Sequence, residues 1–296
     1  MVDFLLSNTQ LGSEFWGQAV SRWAEAPAVL KGLLFFLVWV GLWLPIAWPL
    51  AVFVNWKPSQ PLTLAQKLPL LASLYLLAPP LIWGLAKLGG QGLADFGLPW
   101  QTSVLRSLLL GLLLGSLGLI SIFVGQWKLG WLSWQFAAEG EPTTGIRAIG
   151  TAILLPLLLG LWVGWTEELI FRGFLLTLFQ QDYAPWLAGA IVSFIFALLH
   201  LVWEGRQNIP QLPGLWLMGM VLALSRWVDG GNLGLAWGLH AGWVWTIASL
   251  DSTQAIRYTG RVSERWTGVA GQPLAGAIGI LFMAGMGMLL WVVARL

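Results

Sequence analysis

Few side chains in this chain could do chemistry. Glu167, Glu168 and Arg172 lie in the run EELIFRG, His200 ends FALLH, and His240 opens HAGWVW. These are the only two histidines in 296 residues. All five side chains fall in or against long apolar stretches. At the centre of a membrane helix each ionisable group costs roughly 2.5–3.5 kcal/mol by insertion scales. A chain with 9% charged residues that still places charges there points to a site.

Helix geometry sorts the first group. Glu168 and Arg172 stand at i and i+4 with the acid first, the favourable order for an ion pair. Glu167 lies about 100° around the helix from Glu168. The spacing therefore predicts that Glu168 and Arg172 neutralise each other, leaving Glu167 to face a cavity and act as general base toward water. The plainer alternative is an ion pair that only fixes helix packing. Phe196, His200 and Ser193 share one helical face, as do His240, Trp243 and Val244. A lone helical histidine is commonly structural. Two histidines with a spare acid admit two chemistries. Glu167, His200 and His240 match a catalytic zinc set with an open position for water. They also suit a metal-free site in which the imidazoles position water or a developing oxyanion.

The elements that must position these groups are membrane helices. The chain is 57% hydrophobic with 22 tryptophans and a mean hydropathy of +0.76. Soluble domains are about a quarter charged. Uncharged windows at 32–56, 68–86, 107–127, 148–166, 183–203, 207–225, 232–250 and 266–294 each approach the ~20 residues that cross a bilayer. Period-two alternation is absent, which argues against a porin-like barrel. The expectation is an all-α, polytopic membrane protein with about eight spans. Residues 1–27 lack the pattern of a signal peptide and read as an interfacial segment. Residues 28–296 read as one transmembrane domain with its core at about 148–250. The fourth stretch can run helically from Ala148 to about Gln180, longer than a bilayer, so it is expected to tilt, to bend near Pro156, Gly160 or Gly164, or to project from the bilayer. Residues 128–147, with Glu139, Glu141, Pro142 and Gly145, read as a solvent-facing loop. Asp182 and Pro185 mark one turn, and Asp229-Gly230-Gly231-Asn232 another. The absence of cysteine excludes disulfides and thiolate chemistry. No basic tract suits nucleic acid. Lysine and arginine divide too evenly between the two sides to fix the orientation.

At these residues the chain resembles the CPBP family of intramembrane proteases, also called the Abi or type II CAAX prenyl endopeptidase family. The motifs EExxxR, FxxxH and HxxxN read here as Glu167-Glu168-x-x-x-Arg172, Phe196-x-x-x-His200 and His240-x-x-x-Val244, within roughly 148–250. The resemblance implies an eight-helix fold with a cavity open to the membrane, and endopeptidase hydrolysis of a membrane-associated protein or peptide. It implies that Glu167 activates water, that Glu168 and Arg172 support it, and that His200 and His240 position water, metal or oxyanion. The family's metalloprotease label implies zinc, while the motif itself is equally compatible with a metal-free water. Val244 stands where the family often has Asn, so Trp243 or Ser193 must supply the donor, the role is dispensable, or the chain is an inactive scaffold or immunity-type protein. A transporter would also bury acids and histidines, but no inverted repeat is evident.

Overall fold

A computed structural model describes residues 17–18, 21–23, 25–57, 60, 62–99, 101–135 and 150–295. The expected interfacial segment at 1–27 and the loop residues Glu139, Glu141, Pro142 and Gly145 lie mostly or wholly outside them.

The described chain is helical almost throughout. In order come α1 (Ala28–Phe53), α2 (Leu64–Leu88), a 3-10 turn (Leu93–Phe96), α3 (Thr102–Lys128) and β1 (Leu132–Trp134). Next are a π-helical turn (Gly150–Leu154), α4 (Leu155–Glu168), a longer π-helical stretch (Leu169–Leu175) and α5 (Leu176–Phe179). Then follow α6 (Pro185–Glu204), α7 (Leu212–Val228), α8 (Gly234–Ser252), β2 (Ile256–Tyr258), α9 (Glu264–Thr267) and α10 (Ala277–Val293). Among the described residues five helices are long and apolar enough to cross a membrane: α1, α2, α3, Ala152–Phe179 and Pro185–Trp203 of α6. This is an integral multi-pass membrane protein. The helices α7, α8 and α10 fall in the three remaining uncharged windows but are not among those five, so length and composition do not establish a count of eight. Among the described residues the one strand pairing is a short antiparallel ribbon that pairs Leu132 with Tyr258 and Trp134 with Ile256.

The chain divides into two compact units. The first holds α1, α2 and residues 178–183. Its two long helices are joined by indole donors: Trp39 Nε1 donates to the Leu74 carbonyl (2.9 Å) and Trp43 Nε1 to Ser73 Oγ (2.9 Å). The carboxylate of Asp182 accepts from the Ala28 backbone N–H at 2.6 Å. It thereby satisfies one of the donors that a helix start leaves open.

The second unit, residues 94–177 and 184–296, contains every candidate site residue. Its centre is α8, which lies between α3 and α4 with main chains almost touching. A Cβ added to Gly238 would stand 2.2 Å from the Leu108 carbonyl oxygen, and one on Gly242 2.7 Å from that of Leu112. From the other side, a Cβ on Gly160 of α4 would stand 2.9 Å from the Ala241 carbonyl. Small residues every fourth position let membrane helices approach this closely. Two indoles of α8 fasten it further to the fourth stretch: Trp237 Nε1 donates to Leu161 O (2.7 Å) and Trp245 Nε1 to Ile153 O (3.0 Å).

Near Pro156 the helix does depart from α geometry: the π-helical turn Gly150–Leu154 runs straight into α4, with Pro156 in the first turn after the junction, where its missing N–H leaves a main-chain carbonyl without its usual partner. The two glycines are points of close approach to α8. A second departure from α geometry follows in the π-helical stretch Leu169–Leu175, directly after the paired glutamates.

Candidate active site

The fourth stretch and α8 deliver polar side chains to a buried cluster, and α6 places half-buried His200 against Phe196. Glu167 ends α4 beside Glu168, which is fully buried; Arg172 lies in the π-helical stretch with 1% of its surface exposed. Arg172 Nη1 donates to Glu168 Oε1 at 2.9 Å, so the expected i,i+4 pair is present. The same oxygen also receives the imidazole of His240, whose Nδ1–H donates at 2.7 Å. Glu168 is therefore shared between the guanidinium of its own helix and the histidine of α8. Helix spacing alone could show only the first partner.

His240 faces both acids. Its Nε2 stands 3.6 Å from Glu167 Oε2. With Nδ1 committed as donor to a carboxylate already paired with Arg172, neutral His240 presents an Nε2 lone pair toward Glu167. The histidine is buried, so these partners and not solvent set its orientation.

Phe196 of α6 is the apolar hub. Its ring centroid lies 4.6 Å from that of His200 and 6.1 Å from that of His240. The Arg172 guanidinium carbon sits 4.4 Å from the same centroid, and Phe171 meets the ring edge to face at 5.1 Å. Among the described residues Arg172 Nε and Nη2 have no hydrogen-bond partner. The aromatic face accounts for part of what these donors lack, because a desolvated guanidinium over a ring gains about 2 kcal/mol. His200 is fixed differently: its Nδ1 lies 2.9 Å from the Phe196 carbonyl oxygen. A carbonyl can only accept, so Nδ1 carries the hydrogen and neutral His200, like His240, offers Nε2 as an acceptor.

The donor set of Glu167, His200 and His240 has the right chemistry for zinc, with a carboxylate and two outward Nε2 lone pairs. Among the described residues no group of three or more His, Cys, Asp or Glu side chains is placed to hold a metal ion. Of the two donors weighed for the role of the missing Asn, Ser193 packs against Gly219 of α7, where an added Cβ would meet its Oγ at 2.8 Å. Trp243 is buried, its ring meets Phe282 edge to face, and its Nε1 has no hydrogen-bond partner among the described residues. An indole donor thus remains unused one residue before Val244.

One residue of this neighbourhood was not legible as such. Arg226, near the end of α7, counts in the sequence only as a basic residue beside a turn. In the structure it is buried and reaches into the π-helical stretch, where its Nη1 donates to the Arg172 carbonyl and to Thr177 Oγ1 (3.0 Å). Its position after an apolar run and before Asp229-Gly230-Gly231 held no signal of that contact.

Comparison with known proteins agrees with the motif reading. Residues 149–246, the interval that holds all five candidate residues, match the family model described as Type II CAAX prenyl endopeptidase Rce1-like. The chain is also similar to an uncharacterized 24.3 kDa protein of Escherichia coli, 29% identical over 144 residues. That match covers 48% of this chain and 58% of the relative, so the chain spans under two thirds of the relative's length. No solved structure matches.

Proposed function

We propose that the chain is an intramembrane endopeptidase acting on a membrane-associated protein or peptide within the bilayer, a reading supported by the match of residues 149–246 to the Rce1-like family model. The observation that carries the reading is the position of His240 between two acids, Nδ1–H on Glu168 and Nε2 3.6 Å from Glu167. A water seated beside this pair can donate one O–H to Glu167 and turn an oxygen lone pair outward.

In the proposed reaction this water attacks the carbonyl carbon of the scissile peptide bond while Glu167 takes one of its protons. The carbonyl oxygen becomes the oxyanion of a tetrahedral intermediate. Glu167 then passes the proton to the amide nitrogen, the C–N bond breaks, and a carboxylic acid and an amine leave. Glu168 and Arg172 neutralise each other and hold the His240 ring in its tautomer. His200 faces the substrate side, accepting from water when neutral and donating to the oxyanion when protonated; Trp243 Nε1 is a further donor candidate. No step is routed through a metal.

The test is hydrolysis by purified protein in liposomes of two fluorogenic probes: a farnesylated CAAX peptide and an unprenylated transmembrane peptide. Cleavage of either by wild type and its loss in Glu167→Gln are expected. Equal rates for wild type and Glu167→Gln on both probes overturn the reading and leave the scaffold alternative.

A further inference from the structure

The π-helical stretch poses a question that Arg226 answers. Widening a helix from i+4 to i+5 bonding leaves carbonyls at the junction without their usual partners, and such turns persist where a side chain enters the ladder. Here that side chain is Arg226. Its Nη1 donates to the carbonyl of Arg172, to that of Gly173 (3.4 Å) and to Thr177 Oγ1 (3.0 Å). Its Nε donates to Gly231 O (3.0 Å) and its Nη2 to Asp95 O (3.5 Å). Every contact is to a neutral oxygen, so this buried cation is used as a planar fork of donors.

Those acceptors belong to the supports of both halves of the site. Arg172 is held at both ends, its guanidinium by Glu168 and its carbonyl by Arg226. Gly231 lies in the turn that starts α8, where Asp229 accepts from Leu235 N–H (3.1 Å) and from Ser107 Oγ (2.6 Å), while Leu233 N–H donates to Gly97 O (2.8 Å). Asp95 lies in the 3-10 turn whose Phe96 packs on Phe174 of the wide stretch at 5.7 Å. One guanidinium therefore joins the segment that carries Glu168 and Arg172 to the turn from which α8 delivers His240.

We propose that Arg226 is a positioning residue of the active site: it clamps the wide turn at Arg172 and Gly173 to the α8 entry turn, and so sets the Glu168–His240 hydrogen bond. The proposal rests on the hydrolytic reading only where activity is measured; the geometry is tested without it. Because the chain has two histidines, isotope-labelled histidine gives two imidazole systems in nuclear magnetic resonance spectra of the full chain in detergent. Glu168→Gln identifies the His240 Nδ1–H signal by moving it. Arg226→Met should move the same signal and leave that of His200 in place. Arg226→Lys retains the charge without the fork and should also move it. Thr177→Val, which removes one acceptor and no charge, should move it less.

The kinetic expectation for Arg226→Lys is a kcat about 10- to 100-fold lower with KM within about twofold, the signature of groups misplaced by a fraction of an ångström to an ångström. Folded Arg226→Met or Arg226→Lys protein with an unmoved His240 signal overturns the proposal. So does failure of both variants to give monodisperse protein together with an unmoved signal in Thr177→Val, since Arg226 then serves folding alone. If the signals move as expected but wild type hydrolyses neither probe, the clamp stands and the protease reading falls.

Discussion

Replacing Arg172 by alanine separates the supporting pair from the reacting acid. The change removes the 2.9 Å bond to Glu168 and the stack 4.4 Å over Phe196, and it leaves the carboxylate of a fully buried Glu168 without its cation. Stranding one member of a buried ion pair costs about 3–5 kcal/mol. Glu168 keeps the His240 Nδ1–H at 2.7 Å, which places the expectation at the lower end, about 3 kcal/mol. At roughly 2–4 °C per kcal/mol for a domain of this size, the melting temperature should fall by about 6–12 °C. Glu167→Gln keeps shape and alters a contact of 3.6 Å, beyond hydrogen-bond range. It should cost less than ~1 kcal/mol, as most substitutions without a cavity or a stranded charge do, while activity is lost. Thermal unfolding of detergent-purified protein, followed by tryptophan fluorescence beside size-exclusion yield, reads both. An Arg172→Ala protein that melts within about 2 °C of wild type, or a Glu167→Gln protein that falls as far as Arg172→Ala is expected to, refutes the division of roles.

Three further outcomes are expected. Gly238→Ala should lower both melting temperature and activity, because its Cβ would stand 2.2 Å from Leu108 O, whereas Gly41→Ala, with nothing within 4 Å, should do neither; equal melting of the two variants would show that α3 and α8 are not in main-chain contact. Val244→Asn should leave hydrolysis unchanged or raise it, since one missing oxyanion donor slows an enzyme by about 10²–10³ without abolishing it; activity that appears only in Val244→Asn marks the natural chain as inactive. Prolonged treatment with a zinc chelator should leave the rate unchanged, and loss of activity restored by added zinc would require a tighter grouping of Glu167, His200 and His240 than the described one.

Much of the site was legible because its signals are local. Glu168 and Arg172 are four residues apart on one helix, and so are Phe196 and His200, so their pairing follows from helical pitch. The uncharged windows located the helices, and Asp182-Pro185 and Asp229-Asn232 located their turns. What the sequence did not disclose is how one helix meets another. That His240 Nδ1–H would land on the oxygen already held by Arg172 depends on the rotation of α8 against α4, which glycines on α3, α4 and α8 permit and which no single-helix pattern encodes. The π-helical stretch was equally hidden, because ELIFRGFLL has the composition of an ordinary apolar helix and is widened by a donor from residue 226. The β1–β2 ribbon joins segments more than 120 residues apart by three residues each, too short for any alternation to register.

The widened turn also bears on how the region tolerates changes in chain length. A π-helical turn holds one residue more than the α turn it replaces. Losing a single residue between Leu169 and Leu175 would thus return the stretch to α geometry, because about five residues of a π turn and about four of an α turn sweep nearly the same angle. The same deletion in α3 or α6 would instead turn everything beyond it by about 100°. Thr177 and the residues after it would keep their phase relative to Glu167 and Glu168. A one-residue gap at this point in a related chain is therefore a change within the wide turn alone: it would spare the EE pair and the helix beyond, and remove the widened turn whose carbonyls meet Arg226.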